Sequence, residues 1–202
     1  MSSRWGILIK GSSFLERVSE VDTVVLDKTG TVTLGTLKVL SLNPVEGVQD
    51  EELLAAAGCC GHGSLHPVSR AVVEAARAAG LEPVAPENLR EVAGQGVEAE
   101  TEAGLLRMGR ASWLSASGFS VDADISTSGI AVYVGRNEQT LGWLELADTP
   151  RPEAAETLQG LRALGAKRLV LLTGDREHVA AEVAEQLGFD DYEAEVLPER
   201  KA

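Results

Sequence analysis

Two short clusters carry the residue types that phosphoryl chemistry needs. Asp27-Lys28-Thr29-Gly30-Thr31 places a carboxylate, an amine, hydroxyls and a glycine side by side, and Thr173-Gly174-Asp175 repeats hydroxyl, glycine and carboxylate much farther along the chain. A carboxylate delivered to a strand end can attack a phosphoryl group, dividing a hydrolysis into formation and breakdown of an acyl phosphate. Gly30 lets the backbone approach a phosphate closely, and Lys28 with the hydroxyls adds local polarity. Thr173 and the amides that open a helix behind it could hold phosphoryl oxygens through hydrogen bonds and the positive helix end. Plainer readings exist: Asp27 as a capping residue in a turn, and Asp175 as the N-cap of the following helix.

The flanking sequence predicts the elements that position both clusters. Thr23-Val24-Val25-Leu26 is a β-branched apolar run ending at Asp27, and Arg168-Leu169-Val170-Leu171-Leu172 is a second run ending at Thr173. Ligands in open parallel α/β sheets sit beyond the carboxyl ends of the strands, so the two clusters can share one site despite their separation in sequence. Ala154, Leu158, Leu161 and Leu164 keep a helical spacing between Pro152 and Gly165, and Val179, Val183 and Leu187 do so before Gly188. Helix, strand, helix is the signature of an α/β fold with a parallel sheet. Residues 37–142 differ, with helical patterns near 51–60 and 68–79 followed by strand-like pieces at 96–100, 105–108 and 130–134. That order predicts an inserted α+β domain, the surrounding domain being residues 1–36 and 143–202.

Composition narrows the function. At 202 residues and 44% hydrophobic content the chain can bury a core as one or two domains. A net charge of −13 repels phosphate backbones, so nucleic acid is not an expected partner, although a local basic pocket for one nucleotide stays compatible. Cys59 and Cys60 are adjacent, too close for an unstrained disulfide, and with His62 they are short of a metal site, which leaves small buried apolar residues in a reducing compartment. No apolar run approaches the roughly 18 residues that cross a bilayer, so the chain itself is expected to be soluble.

Asp27-Lys28-Thr29-Gly30-Thr31 resembles the phosphorylation motif of the P-type ATPases, and Thr173-Gly174-Asp175 matches that family's TGD element. His66-Pro67, Gly94-x-Gly96 and Asp148-x-x-Arg151 follow in the order found in the heavy-metal-transporting subgroup. Taken singly, a His-Pro pair is weak, a G-x-G is more often a turn, and Asp148 with Arg151 could be a local ion pair. The resemblance implies a haloacid dehalogenase-like α/β fold carrying an inserted nucleotide-binding domain, with Asp27 phosphorylated by ATP. It further implies that Lys28, Thr29, Thr173, Gly174, Asp175 and Lys201 surround the phosphoryl group, that His66, Gly94 and Gly96 hold the adenine nucleotide, and that Asp27 with the Thr29 carbonyl faces Mg²⁺. Lys201 would otherwise be read as a solvated side chain.

Two departures stand out: Gly61 occupies a position where the subgroup often has glutamate, and Arg110 stands where asparagine often follows a glycine. The family's G-D-G-x-N-D segment, whose aspartates help bind Mg²⁺, is not in the sequence, and the chain is read as a truncated piece, inactive or weakly active alone. The implied whole protein sits with these domains on the cytoplasmic face of a membrane. It contains membrane and actuator domains and moves a heavy-metal cation, for which the phrasing around Ile7–Gly11 and Val21–Thr33 favours copper. Two other readings are a small-molecule phosphatase of the same superfamily and a nucleotide-binding module without turnover. The phosphatase needs an acid and base two residues after Asp27, where Thr29 stands and cannot serve.

Overall fold

A computed structural model describes residues 17–18, 20–122, 125, 127 and 129–197. The chain divides into two compact units, Met1–Thr33 with Pro150–Ala202, and Leu34–Thr149.

In the first unit, β1 (Thr23–Asp27) pairs in parallel with β8 (Arg168–Leu172), which pairs in parallel with β9 (Asp191–Glu193). The central strand β8 buries Leu169, Val170 and Leu171, which is why it reads as a continuous apolar run rather than an alternating one. Helix α4 (Ala154–Ala163) precedes β8, and α5 (Glu177–Leu187) follows it and is closed by Gly188 in the left-handed conformation at φ 83°. Val32, Ala154, Leu171 and Ala184 form the buried centre, with Leu26, Val183 and Leu187 packed against it. This arrangement is the expected α/β sheet.

The second unit is a six-stranded sheet in the order β2-β7-β6-β5-β4-β3. Its strands are β2 (Thr33–Pro44), β3 (Asn88–Val92), β4 (Gly96–Thr101), β5 (Gly104–Gly109), β6 (Ile130–Arg136) and β7 (Gln139–Pro150). The pairings from β3 through β7 are all antiparallel. Helices α1 (Asp50–Gly61) and α2 (Pro67–Ala78) lie over one face, where Leu53, Cys60, Val72, Met108, Val134 and Leu144 are buried together. Alternation along β6 sends Val132 and Val134 to that core and Tyr133 to a smaller cluster with Leu114 of α3 (Ala111–Ala116) and Phe119.

Read from sequence, the return crossing falls at 143; in the structure β7 runs on to Pro150, so residues 143–149 are strand of the inserted sheet. Strands β2, β3, β7 and β9 and helix α3 are additions to the elements read from sequence. Cys59 and Cys60 are free thiols in the α1 core, and burial pushes both upward in pKa. No described helix is long and apolar enough to cross a membrane.

Candidate active site

The carboxyl end of the first unit's sheet gathers one set of the residues read from sequence. Asp27 is the last residue of β1 and sits opposite Leu172 in the β1–β8 register, so the chain leaves both strands at the same level, into Lys28 on one side and Thr173 on the other. Asp27 is half-buried, whereas Lys28 and Thr173 are buried at 8% and 1% exposure. The Lys28 ammonium forms an ion pair with the Asp175 carboxylate, which joins the two clusters directly. Helix α5 starts at Glu177 with Arg176 as its N-cap, so Asp175 lies one residue too early to cap it; the N-cap reading gives way to a charge partner for Lys28.

The turn after Asp27 is fixed by side chains. Gly30 adopts φ 77°, a left-handed conformation costly for other residues, and among the described residues a Cβ there would meet nothing within 4 Å, so the glycine serves the backbone path rather than tight packing. Thr33 Oγ1 donates to the Lys28 carbonyl at 2.9 Å and accepts from the Gly30 amide at 3.3 Å. From the start of the returning segment, Arg151 donates to the Thr31 carbonyl at 2.9 Å and the Gly30 carbonyl at 3.2 Å, and its own amide donates to the Val32 carbonyl at 2.9 Å. Asp148 accepts from the Thr36 amide at 3.1 Å. Across the sheet, Thr173 Oγ1 accepts from the Asp175 amide at 3.1 Å and keeps its hydroxyl proton for donation. Among the described residues Gly174 has only Val196 O near it, 3.4 Å from where a Cβ would stand.

Removing one member of the Lys28–Asp175 pair leaves the other charge incompletely solvated. Lys28→Met is expected to lower unfolding free energy by about 2 kcal/mol, below the figure for fully buried pairs because Asp175 retains solvent access. Adding Asp175→Asn should recover part of that loss, and urea unfolding of the two single variants and the double variant measures it.

The other set lies in the second unit. His66 is the N-cap of α2, its Nδ1 accepting from the Val68 amide at 3.3 Å, with Pro67 at the first helical position, and its ring is exposed. Gly94 takes φ 70° in the turn joining β3 to β4, and Gly96 opens β4 opposite Gly109. A Cβ on Gly96 would stand 2.2 Å from Met108 O and 2.7 Å from the Gly109 Cα, so that position is small for packing, while Gly94 has nothing within 4 Å. At Gly61 a Cβ would come 2.7 Å from Ser69 O and 3.0 Å from Val73 Cγ2. The α1–α2 contact therefore leaves no room for a longer side chain there. Arg110 is the N-cap of α3. Lys201 lies outside the described residues.

Ser64 and Glu91, absent from the residues singled out by sequence, link the two loops of this set. Ser64 Oγ donates to Glu91 Oε1 at 2.5 Å and accepts from the His66 amide at 3.2 Å, connecting the His66 loop to β3 just before Gly94. The available signal was position alone: a serine two residues before the histidine and a glutamate three before the glycine.

For Mg²⁺, Asp27 and the Thr29 carbonyl offer two oxygens against the six of an octahedral site. Among the described residues no group of three or more His, Cys, Asp or Glu side chains gathers to hold a metal. These residues do not by themselves fit the ion.

Residues 21–202 match the description of a hydrolase of the haloacid dehalogenase-like type. The chain is 35% identical over its full length to the Probable copper-transporting ATPase SynA of Synechococcus sp., covering 26% of that protein. It is 37% identical over 99% of its length to the zinc/cadmium/lead-transporting P-type ATPase of Escherichia coli (strain K12), covering 27% of it. The chain thus spans about a quarter of the length of these curated relatives. Among solved structures, a crystal structure of a zinc-transporting PIB-type ATPase superposes with a TM-score of 0.84 at 35% identity, over 96% of this chain and 32% of that one. The catalytic domain of the CPx-ATPase CopB-B does so with a TM-score of 0.76 at 26% identity, over 99% of this chain and 73% of that one. The matched span contains both clusters and the whole inserted unit: the chain belongs to the haloacid dehalogenase-like hydrolases, and its homologues there are heavy-metal P-type ATPases.

Proposed function

We propose that this chain is the phosphorylation and nucleotide-binding region of a heavy-metal cation-transporting P-type ATPase. The observation that carries the reading is the register of Asp27 with Leu172, which opens the Thr173–Asp175 cluster off the adjacent strand and pairs Lys28 with Asp175. An Asp27 carboxylate oxygen attacks the γ-phosphorus of ATP, the bond to the β–γ bridging oxygen breaks, and ADP leaves. Water later splits the acyl phosphate, releasing phosphate and restoring Asp27. Thr173 donates its hydroxyl to the phosphoryl oxygens. Lys28, its charge balanced by Asp175, adds positive potential beside the transferred group without an unpaired buried ammonium.

The phosphatase reading has less support, since Thr29 stands where that chemistry wants a carboxylate and cannot act as acid and base. A binding module without turnover leaves the Asp27 cluster without a purpose. In the intact protein the cation path belongs to membrane segments outside this chain, coupled to it through an actuator domain, and these domains face the cytoplasm. Relatives named for copper and for zinc match at 35% and 37% identity, so the cargo proposed is a heavy-metal cation, without preference for copper.

His66 offers an exposed ring at the start of α2 for contact with adenine. Loss of one aromatic contact worth about 1.4 kcal/mol is a tenfold change in affinity. Titration calorimetry of this chain with ATP should show binding that His66→Ala weakens by about that factor; equal affinity in both proteins would remove His66 from the site.

A further inference from the structure

The His66 loop and the Gly94–Gly96 turn are far apart in sequence and meet through one hydroxyl. Ser64 is 8% exposed, so its hydroxyl has little water to fall back on, and its two bonds go to the His66 amide and to Glu91, three residues before Gly94. It donates to Glu91 Oε1 at 2.5 Å and accepts the His66 amide at 3.2 Å, while the Ser64 amide itself donates to Gly61 O at 3.2 Å at the end of α1. Glu91 is held on the other side by the sheet, opposite Val97 in β4, with the β3–β4 turn closed by the Gln95 amide on Val92 O at 3.0 Å. A serine hydroxyl on a carboxylate is a charge-assisted bond, stronger and more directional than a neutral one. Leu65, between Ser64 and His66, is 88% exposed, so apolar packing at Leu65 does not hold this stretch.

We propose that the Ser64–Glu91 hydrogen bond sets the position of His66 relative to the Gly94–Gly96 turn, making Ser64 and Glu91 positioning residues for a purine nucleotide. The proposal rests on the nucleotide-binding reading above. Ser64 itself does not touch the nucleotide. It fixes the backbone amide of the residue that does, and a small misplacement of a binding group is enough to lose much of its contribution. Glu91 supplies the rigid anchor because it sits in a paired strand.

Both partners are tested by coupling to His66. Ser64→Ala and Glu91→Ala are each measured for ATP affinity by calorimetry in the natural background and in His66→Ala. Thermal unfolding is recorded for every variant, and the exposed Glu91 provides a substitution that spares the fold if Ser64→Ala does not fold. Each single change should weaken ATP about fivefold when His66 is present and less than about twofold when it is absent, the signature of two residues acting through a third. Glu91→Gln, whose amide oxygen still accepts the hydroxyl, should restore most of the affinity lost in Glu91→Ala. Equal losses in both backgrounds, or no loss in either, would overturn the positioning role. If His66→Ala alone leaves ATP affinity unchanged, the nucleotide reading fails and the pair falls with it. If His66→Ala weakens ATP while Ser64→Ala and Glu91→Ala do not, only the pair is overturned.

Discussion

Asp27→Asn in the intact protein is expected to reduce phosphate incorporation from γ-labelled ATP by about 10³-fold or more, because an amide oxygen is a far poorer nucleophile than a carboxylate and no other group stands in for it. The exchange is isosteric, and Asp27 is a half-buried strand-end residue rather than part of the apolar core, so folding should be retained. ATP binding should persist, since the residues assigned to the nucleotide belong to the other unit. The pattern of binding without transfer separates a lost nucleophile from a lost structure. Loss of both together would place Asp27 in a stabilising role instead.

Gly96→Ala is expected to cost about 3 kcal/mol or more of stability, the upper range for overpacking a site that cannot relax. Its Cβ would stand 2.2 Å from Met108 O, 2.7 Å from the Gly109 Cα and 2.8 Å from Trp113 Cζ3, and the first two are backbone atoms of the neighbouring strand β5. Relief requires parting β4 from β5, the pair that carries Val97 and Met108 into buried positions. Gly94→Ala differs in kind. Nothing lies within 4 Å of its Cβ position, and the penalty is that of φ 70°, about 1 kcal/mol. Denaturant unfolding of the two variants should therefore rank Gly96→Ala well below Gly94→Ala. The reverse ranking would contradict the strand-packing role of Gly96.

Much of the first unit can be read locally. Leu169, Val170 and Leu171 are apolar because their neighbours cover them, β1 is only partly covered, with Val25 exposed, and the helix over 177–187 carries both its stripe and its closing glycine. The position of Asp27 beside Thr173 follows once both strands are taken as parallel. The Lys28–Asp175 pair does not follow from pattern, since a three-residue TGD cluster gives no direction to its carboxylate, and capping looked equally good until the helix start was fixed at Glu177.

The inserted sheet is less legible at its edges. β7 contains Gly142 and ends in Asp148-Thr149-Pro150, which reads as turn chemistry, yet Gly142 is there because its Cα approaches Asn43 O, 2.4 Å from a would-be Cβ. β2 alternates exposed residues such as Leu40 with half-buried ones, too weak a pattern to declare a strand of twelve residues. Gly61 looks like a lost functional residue and proves to be a packing requirement of α1 on α2. The Ser64–Glu91 bond spans 27 residues between a loop and a strand, and no local rule connects them.

In the proposed reaction a phosphoryl group moves from ATP to the Asp27 carboxylate. The intact protein is incubated briefly with ATP, quenched in acid, digested, and the phosphopeptides are located by mass spectrometry before and after hydroxylamine treatment. The expected result is a single acid-stable, hydroxylamine-labile phosphate on the peptide containing Asp27-Lys28-Thr29, absent from Asp27→Asn. A hydroxylamine-resistant phosphate on Thr29, Thr31 or Thr33, or an acyl phosphate on another aspartate, would contradict it.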